Sequence, residues 1–136
     1  MVEKRLAVSA VKLSKLAEMR KEPKYVDEPG TIYNGLRPEA ARQKAEAQFN
    51  NLLDRLCTGL AETPTKQFVL SEFAKTLAEF EPIDTEDREC LLRYLERIMD
   101  ILQIESSDGL LNRWLYGEQL ASLLEKLPRP EGPGSS

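Results

Sequence analysis

The 136-residue chain contains no histidine. That absence removes Ser-His-Asp and Cys-His catalysis, histidine-assisted zinc binding and any imidazole pH switch. There are two cysteines, Cys57 and Cys90, too few for a structural zinc site, and cytosolic thiols stay reduced. They read as two small buried or half-buried apolar residues. No apolar run approaches the roughly 18 residues needed to cross a bilayer. The first residues, interrupted by Lys4, Arg5, Lys12 and Lys15, lack the apolar stretch of a signal peptide. No P-loop, G-x-G-x-x-G or G-x-S-x-G is present. The expectation is a cytoplasmic protein without membrane association, metal or cofactor.

What is present is helical patterning. Leu13, Leu16 and Ala17 give helical spacing over about Ser9–Lys21, and Pro23 ends that helix. A second helix is expected over about Pro38–Leu60, with Ala45, Phe49, Leu52, Leu53, Leu56 and Leu60 as its buried stripe. A third spans about Pro64–Phe80 through Val69, Phe73, Leu77 and Phe80, stopped by Pro82. A fourth begins at Asp84 or Thr85. Glu86, Asp87 and Glu89 complement the dipole of its first turns, and Leu91, Leu95, Ile98, Met99 and Leu102 form its core face. A short fifth helix is expected at about Ser107–Tyr116, with Gly117 as its stop, and a sixth at 118–127. The fold class is therefore all-α: a compact single-domain bundle over 1–127, followed by a flexible Pro/Gly/Ser tail at 128–136.

The connection at 22–37, EPKYVDEPGTIYNGLR, carries Pro29-Gly30 and Asn34-Gly35 turn signals beside Tyr25, Val26, Ile32, Tyr33 and Leu36. A loop with this much apolar area packs on the body of the domain or offers a functional surface. A hairpin-like bend fits it; a large sheet does not.

Charge is uneven. Six basic and two acidic residues fall within 1–21, ten acids and three arginines within 79–108, on a chain of net charge −4. An acidic protein whose basic stretch lacks interleaved aromatics is a poor nucleic-acid binder. Glu89, Glu96 and Asp100 lie near one helical face and form a carboxylate set for a hard cation. The interleaved Arg93 and Arg97 instead read as a solvated, salt-bridged face, so no metal is expected. Glu105-Ser106-Ser107-Asp108-Gly109 lacks the EF-hand spacing and reads as helix capping. Trp114, Arg113 and Tyr116 have hot-spot composition, but the neighbouring leucines equally make Trp114 a core cap.

Three blocks in order, PGTIYNGL at 29–36, DTEDRE at 84–89 and IMDILQIESSDGLLNRWLYG at 98–117, resemble a family of short bacterial proteins classed as a domain of unknown function. The resemblance implies an all-helical single domain and supplies no activity. The residues themselves favour non-catalytic binding of an unknown, basic protein partner, one form being an immunity or antitoxin-like inhibitor of a toxic enzyme. The candidate partner-binding residues are Glu86, Glu89, Glu96, Asp100, Tyr25, Tyr33, Arg113 and Trp114. The alternative is a carboxylate-based enzyme or small-ligand protein with a pocket between the 22–37 loop and the fourth and fifth helices.

Overall fold

The computed structural model describes residues 5–117, an all-α chain whose order is α1 (Ala10–Lys21), α2 (Glu39–Gly59), α3 (Lys66–Glu79) and α4 (Thr85–Leu102). A fifth helix, α5, occupies residues 110–117, the last described. The expected helix at 118–127 and the tail at 128–136 lie outside the described residues. Among the described residues the nearest approach to a sheet is an isolated bridge between Arg5 and Thr65. No described helix is long and apolar enough to cross a membrane.

Local chemistry explains the helix ends. Ser9 and Thr65 cap α1 and α3, their side-chain oxygens accepting the N–H groups of Lys12 and Phe68. The cap at Thr65 starts α3 at Lys66, just after the expected Pro64. Pro38 does not open α2 from within; it stands just before the helix with extended backbone, after a cis peptide bond. At the end of α4, Gln103 turns left-handed (φ 61°) and the Ile104 N–H reaches back to the Met99 carbonyl at 2.8 Å. This Schellman arrangement buries Ile104 under the helix end. The α5 start moves from Ser107 to Leu110 because Asp108 and Gly109 both take positive φ. The Ser107 hydroxyl accepts from the Leu111 N–H at 3.3 Å.

α2 packs on both α1 and α3, and α1 also packs on α4. The α2 stripe expected from spacing, Ala45 through Leu60, is buried throughout. It meets Leu16 and Met19 of α1, Val69, Phe73 and Leu77 of α3, and Leu91, Leu95, Ile98 and Leu102 of α4 in one core. Each such side chain removed from water contributes about 1.5–3 kcal/mol before entropy is subtracted.

Candidate functional site

The 22–37 loop is fixed to the bundle from beneath. Lys24 is 1% exposed, and its ammonium donates to the carbonyls of Met19, Arg20 and Glu22 at 2.8–3.2 Å. It thus caps the C-terminal end of α1. Burial lowers the Lys24 pKa, and Glu46 and Glu22 nearby work against that fall. Tyr25 takes a left-handed backbone (φ 59°), a strained state for a bulky residue. Two bonds hold it: its N–H donates to the Tyr94 hydroxyl at 2.8 Å, and its carbonyl accepts from the Leu36 N–H at 2.9 Å. The returning strand of the loop passes so close that a Cβ on Gly35 (φ 89°) would lie 3.1 Å from the Tyr25 carbonyl. With Glu28 N–H donating to the Tyr33 carbonyl, this is the hairpin-like bend, built without strands.

The loop then docks on α4. The Tyr33 hydroxyl donates to Asp87 Oδ1 at 2.7 Å. Arg93 pairs with Glu28, and Arg97 makes a two-bond pair with Glu22. The α4 arginines therefore reach across to the loop and do not pair along their own helix with Glu89 and Asp100. Tyr25 and Tyr33, expected to face a partner, are 1% and 5% exposed, since Tyr94, Phe80 and Asp87 supply them with interior partners. Burial, then the Tyr33 bond as an opposing influence, leaves the Asp87 carboxyl above its usual range.

What the loop and α4 leave outside is specific. Ile32 at the loop tip is 83% exposed and Ile83 just before α4 is 86% exposed. The first turns of α4 follow Ile83, with Glu86 and Glu89 exposed and without an ion-pair partner among the described residues. Ile32, Glu86 and Glu89 share a hollow of about 250 Å³ with Tyr33 and Arg93. Glu96 and Asp100, farther along α4, are exposed and likewise unpaired, and Glu96 lines a separate hollow beside Ser106 and Ser107.

Trp114 belongs to the bundle's end wall. Its indole N–H donates to the Leu77 carbonyl at 3.1 Å, its ring stacks edge-on with Phe80, and the Arg88 guanidinium sits 4.3 Å from the ring centroid. Arg113 is exposed and folds back on the Asp108 carbonyl at 3.0 Å. The core-cap reading of Trp114 thus describes its surroundings.

The chemistry on offer is narrow. Among the described residues no group of His, Cys, Asp or Glu is placed to hold a metal ion. Both cysteines are free, and burial raises both thiols, which suppresses the reactive thiolate. A hollow of about 480 Å³ below Ile83 includes Asp84 and Asp87. A cleft of about 1110 Å³ opens between the loop, the end of α1 and the start of α2. That is the opposite side of the loop from the pocket expected against α4 and α5. The Arg93, Arg97 and Tyr33 contacts draw the loop onto α4, where the hollows that touch both are those of about 250 and 480 Å³. Asp87, Lys24 and Asn50, the polar groups that organise these surfaces, carry no signal in a periodicity pattern that assigns polar residues to solvent.

Residues 7–119 match the model of a domain of unknown function, DUF4844, and the chain belongs to that family. No curated protein matches the sequence. Among solved structures, the chain is similar to the crystal structure of a DUF3571 family protein from Acinetobacter baumannii AYE. The two share 28% identity at a TM-score of 0.75, over 85% of this chain and 96% of that one.

Proposed function

We propose that this DUF4844 protein is a non-catalytic binding module of the cytosol that receives a basic protein partner on the N-terminal end of α4. One observation carries the reading. An isoleucine 83% exposed shares a hollow with Glu86 and Glu89, a second, 86% exposed, comes just before the same helix, and the two acids are left unpaired although Arg88, Arg93 and Arg97 are engaged elsewhere. Apolar knobs beside unpaired charge supply the two ingredients of a docking surface: area to desolvate and a field to steer the approach. The specific form we infer is an immunity or antitoxin-like inhibitor, whose acidic face covers the basic substrate surface of a toxic enzyme.

A second reading has one observation in its favour. Asp87, raised by burial, borders the 480 Å³ hollow, and a carboxyl of raised pKa in a pocket is the usual start of acid–base chemistry. Its Oδ1 already accepts the Tyr33 hydroxyl, and that phenol is itself pushed up by burial and by Asp87. The pair therefore reads as a structural latch between loop and helix, with its carboxylate oxygen already committed to the phenol.

The test is quantitative affinity capture from the native host with the wild-type chain and Glu86→Lys/Glu89→Lys. A basic protein retained by the wild type and lost by the variant is expected. Its association should slow as salt rises, because exposed charges are screened over about 8 Å at physiological ionic strength. Co-expression should then relieve the toxicity of the captured enzyme. Equal retention by both chains, or an association rate indifferent to salt, overturns the proposal.

A further inference from the structure

The hollow of about 480 Å³ below Ile83 lies between the first half of α2 and the segment that leads into α4. Its walls are mainly aliphatic: Leu36 from the loop, Ala41 and Ala45 from α2, and Pro82 and Ile83 from the connection. Leu36 and Ala45 belong to the core, so packing holds these walls in place. The volume is that of a small-molecule pocket.

The polar end of the hollow is the start of α4. Asp87 is 7% exposed and lines it. An ionised carboxylate has about four acceptor sites. Here the Tyr33 phenol serves Oδ1, and no donor among the described residues serves Oδ2. The one unpaired side-chain atom sealed from solvent among the described residues is Asn50 Oδ1, which no ligand can reach. Asp87 Oδ2 is unpaired without being sealed, and the opening it has is the hollow that the residue lines.

Charge at this end is uncompensated. Asp84 is exposed, makes no cap hydrogen bond and joins no ion pair among the described residues. Burial first, and then the Asp84 charge, push the Asp87 carboxyl up against the pull of the Tyr33 bond, and no cation assists that bond. Two cations stand at the rim. Lys44 is already paired with Glu81, and the exposed Arg37 exerts no pull on Asp87. The dipole of α4 adds about half a positive charge, less than the two carboxylates carry.

We propose that this hollow binds an alkylammonium, with its aliphatic stem against Ala41, Ala45 and Ile83 and its N–H donors on Asp87 Oδ2 and Asp84. The stem would also cover Ile83, which is 86% exposed. A free aliphatic amine and the lysine side chain of a protein share this chemistry. The site does not use Glu86 or Glu89, so it stands or falls separately from the docking of a basic partner there.

The experiment is titration of the ¹⁵N-labelled full chain with hexylammonium chloride at constant ionic strength, followed by amide resonance shifts. Ala41, Lys44, Ile83 and Asp84 are expected to shift saturably, with Kd on the order of 1 mM. Hexanol and hexanoate, the same stem without charge and with the opposite charge, should bind about tenfold more weakly or worse. Asp87→Asn and Asp84→Asn should each weaken hexylammonium binding by about tenfold. Asp84 is exposed, so its variant tests the site even if Asp87→Asn disturbs the loop. Nα-acetyl-lysine methylamide binding as tightly as hexylammonium identifies a lysine side chain as the ligand; weaker binding identifies a free amine. No saturable shift with hexylammonium, equal binding of hexanol or hexanoate, or binding untouched by both substitutions overturns the proposal.

Discussion

The α2–α3 face and the loop–α4 face each bury one carboxylate, and they treat it differently. Glu72 on α3 is 4% exposed and lies between Arg55 at 2.6 Å and Lys75 at 2.7 Å. Burial works to raise its pKa; the bonds from the two cations outweigh burial, and the group ends below its usual range. Asp87 on α4 is 7% exposed and has the Tyr33 phenol as its hydrogen-bond donor. There burial wins and the group ends above its usual range. Similar burial gives opposite signs, so the partner's charge decides whether a buried acid is held ionised. The α2–α3 face is fastened by charge. The loop is fastened to α4 largely by aromatic packing and a phenol, with its ion pairs confined to the exposed edge.

The comparison presumes one shared core beneath both faces, and the largest effect should come from breaking it. Leu95 is fully buried in that core, so Leu95→Ala should cost about 2–5 kcal/mol in urea unfolding. A loss below about 0.5 kcal/mol would place Leu95 outside it and uncouple the two faces. Next come the carboxylates themselves, which should show opposite pH signatures. Glu72, lowered on folding, contributes stability above the ordinary glutamate range and loses it as pH falls through the folded value. Glu72→Gln should therefore cost about 1–3 kcal/mol at neutral pH, with the deficit closing in acid. Asp87, raised on folding, contributes stability below the ordinary aspartate range and loses it as pH rises through the folded value. Asp87→Asn should accordingly gain on the wild type as pH climbs from about 3 to 7. Unfolding curves whose wild-type-minus-variant differences slope the same way for both would erase the distinction. The smallest effect belongs to Glu86→Lys/Glu89→Lys, exposed and unpaired, which should change stability by no more than about 0.5 kcal/mol. A larger change by thermal melting would mean that these acids fasten the fold as Glu72 does.

Much of the architecture was legible in the apolar pattern. The α2 stripe, the α4 core face and the stops around Pro23, Pro82 and Gln103 follow from 3.6-residue spacing and cap chemistry, which are local. The loop was legible as ordered and as a hairpin-like bend, but not which of its side chains turn inward. Tyr25 and Tyr33 look alike in sequence whether they face a partner or the core. Their burial depends on Tyr94 and Asp87, 69 and 54 residues away. Arg93 and Arg97 had acidic neighbours on their own helix and still took Glu28 and Glu22, which long-range docking brings close. For the same reason Glu86 and Glu89 were legible as exposed acids, whereas the α1–α2 cleft and Asn50 were not. No spacing rule reports an unpaired carbonyl between two helices.

The sealed ammonium of Lys24 has a consequence for the chain's chemistry in time. A primary amine is attacked only as a free, accessible lone pair, and this one is shielded and engaged with backbone carbonyls. Lysine-directed acylation should therefore reach the exposed Lys21 and Lys44 early and reach Lys24 only when the 22–37 segment lifts. The residue is a clock: the slow rate at which it acquires a label counts how often this protein opens its own loop.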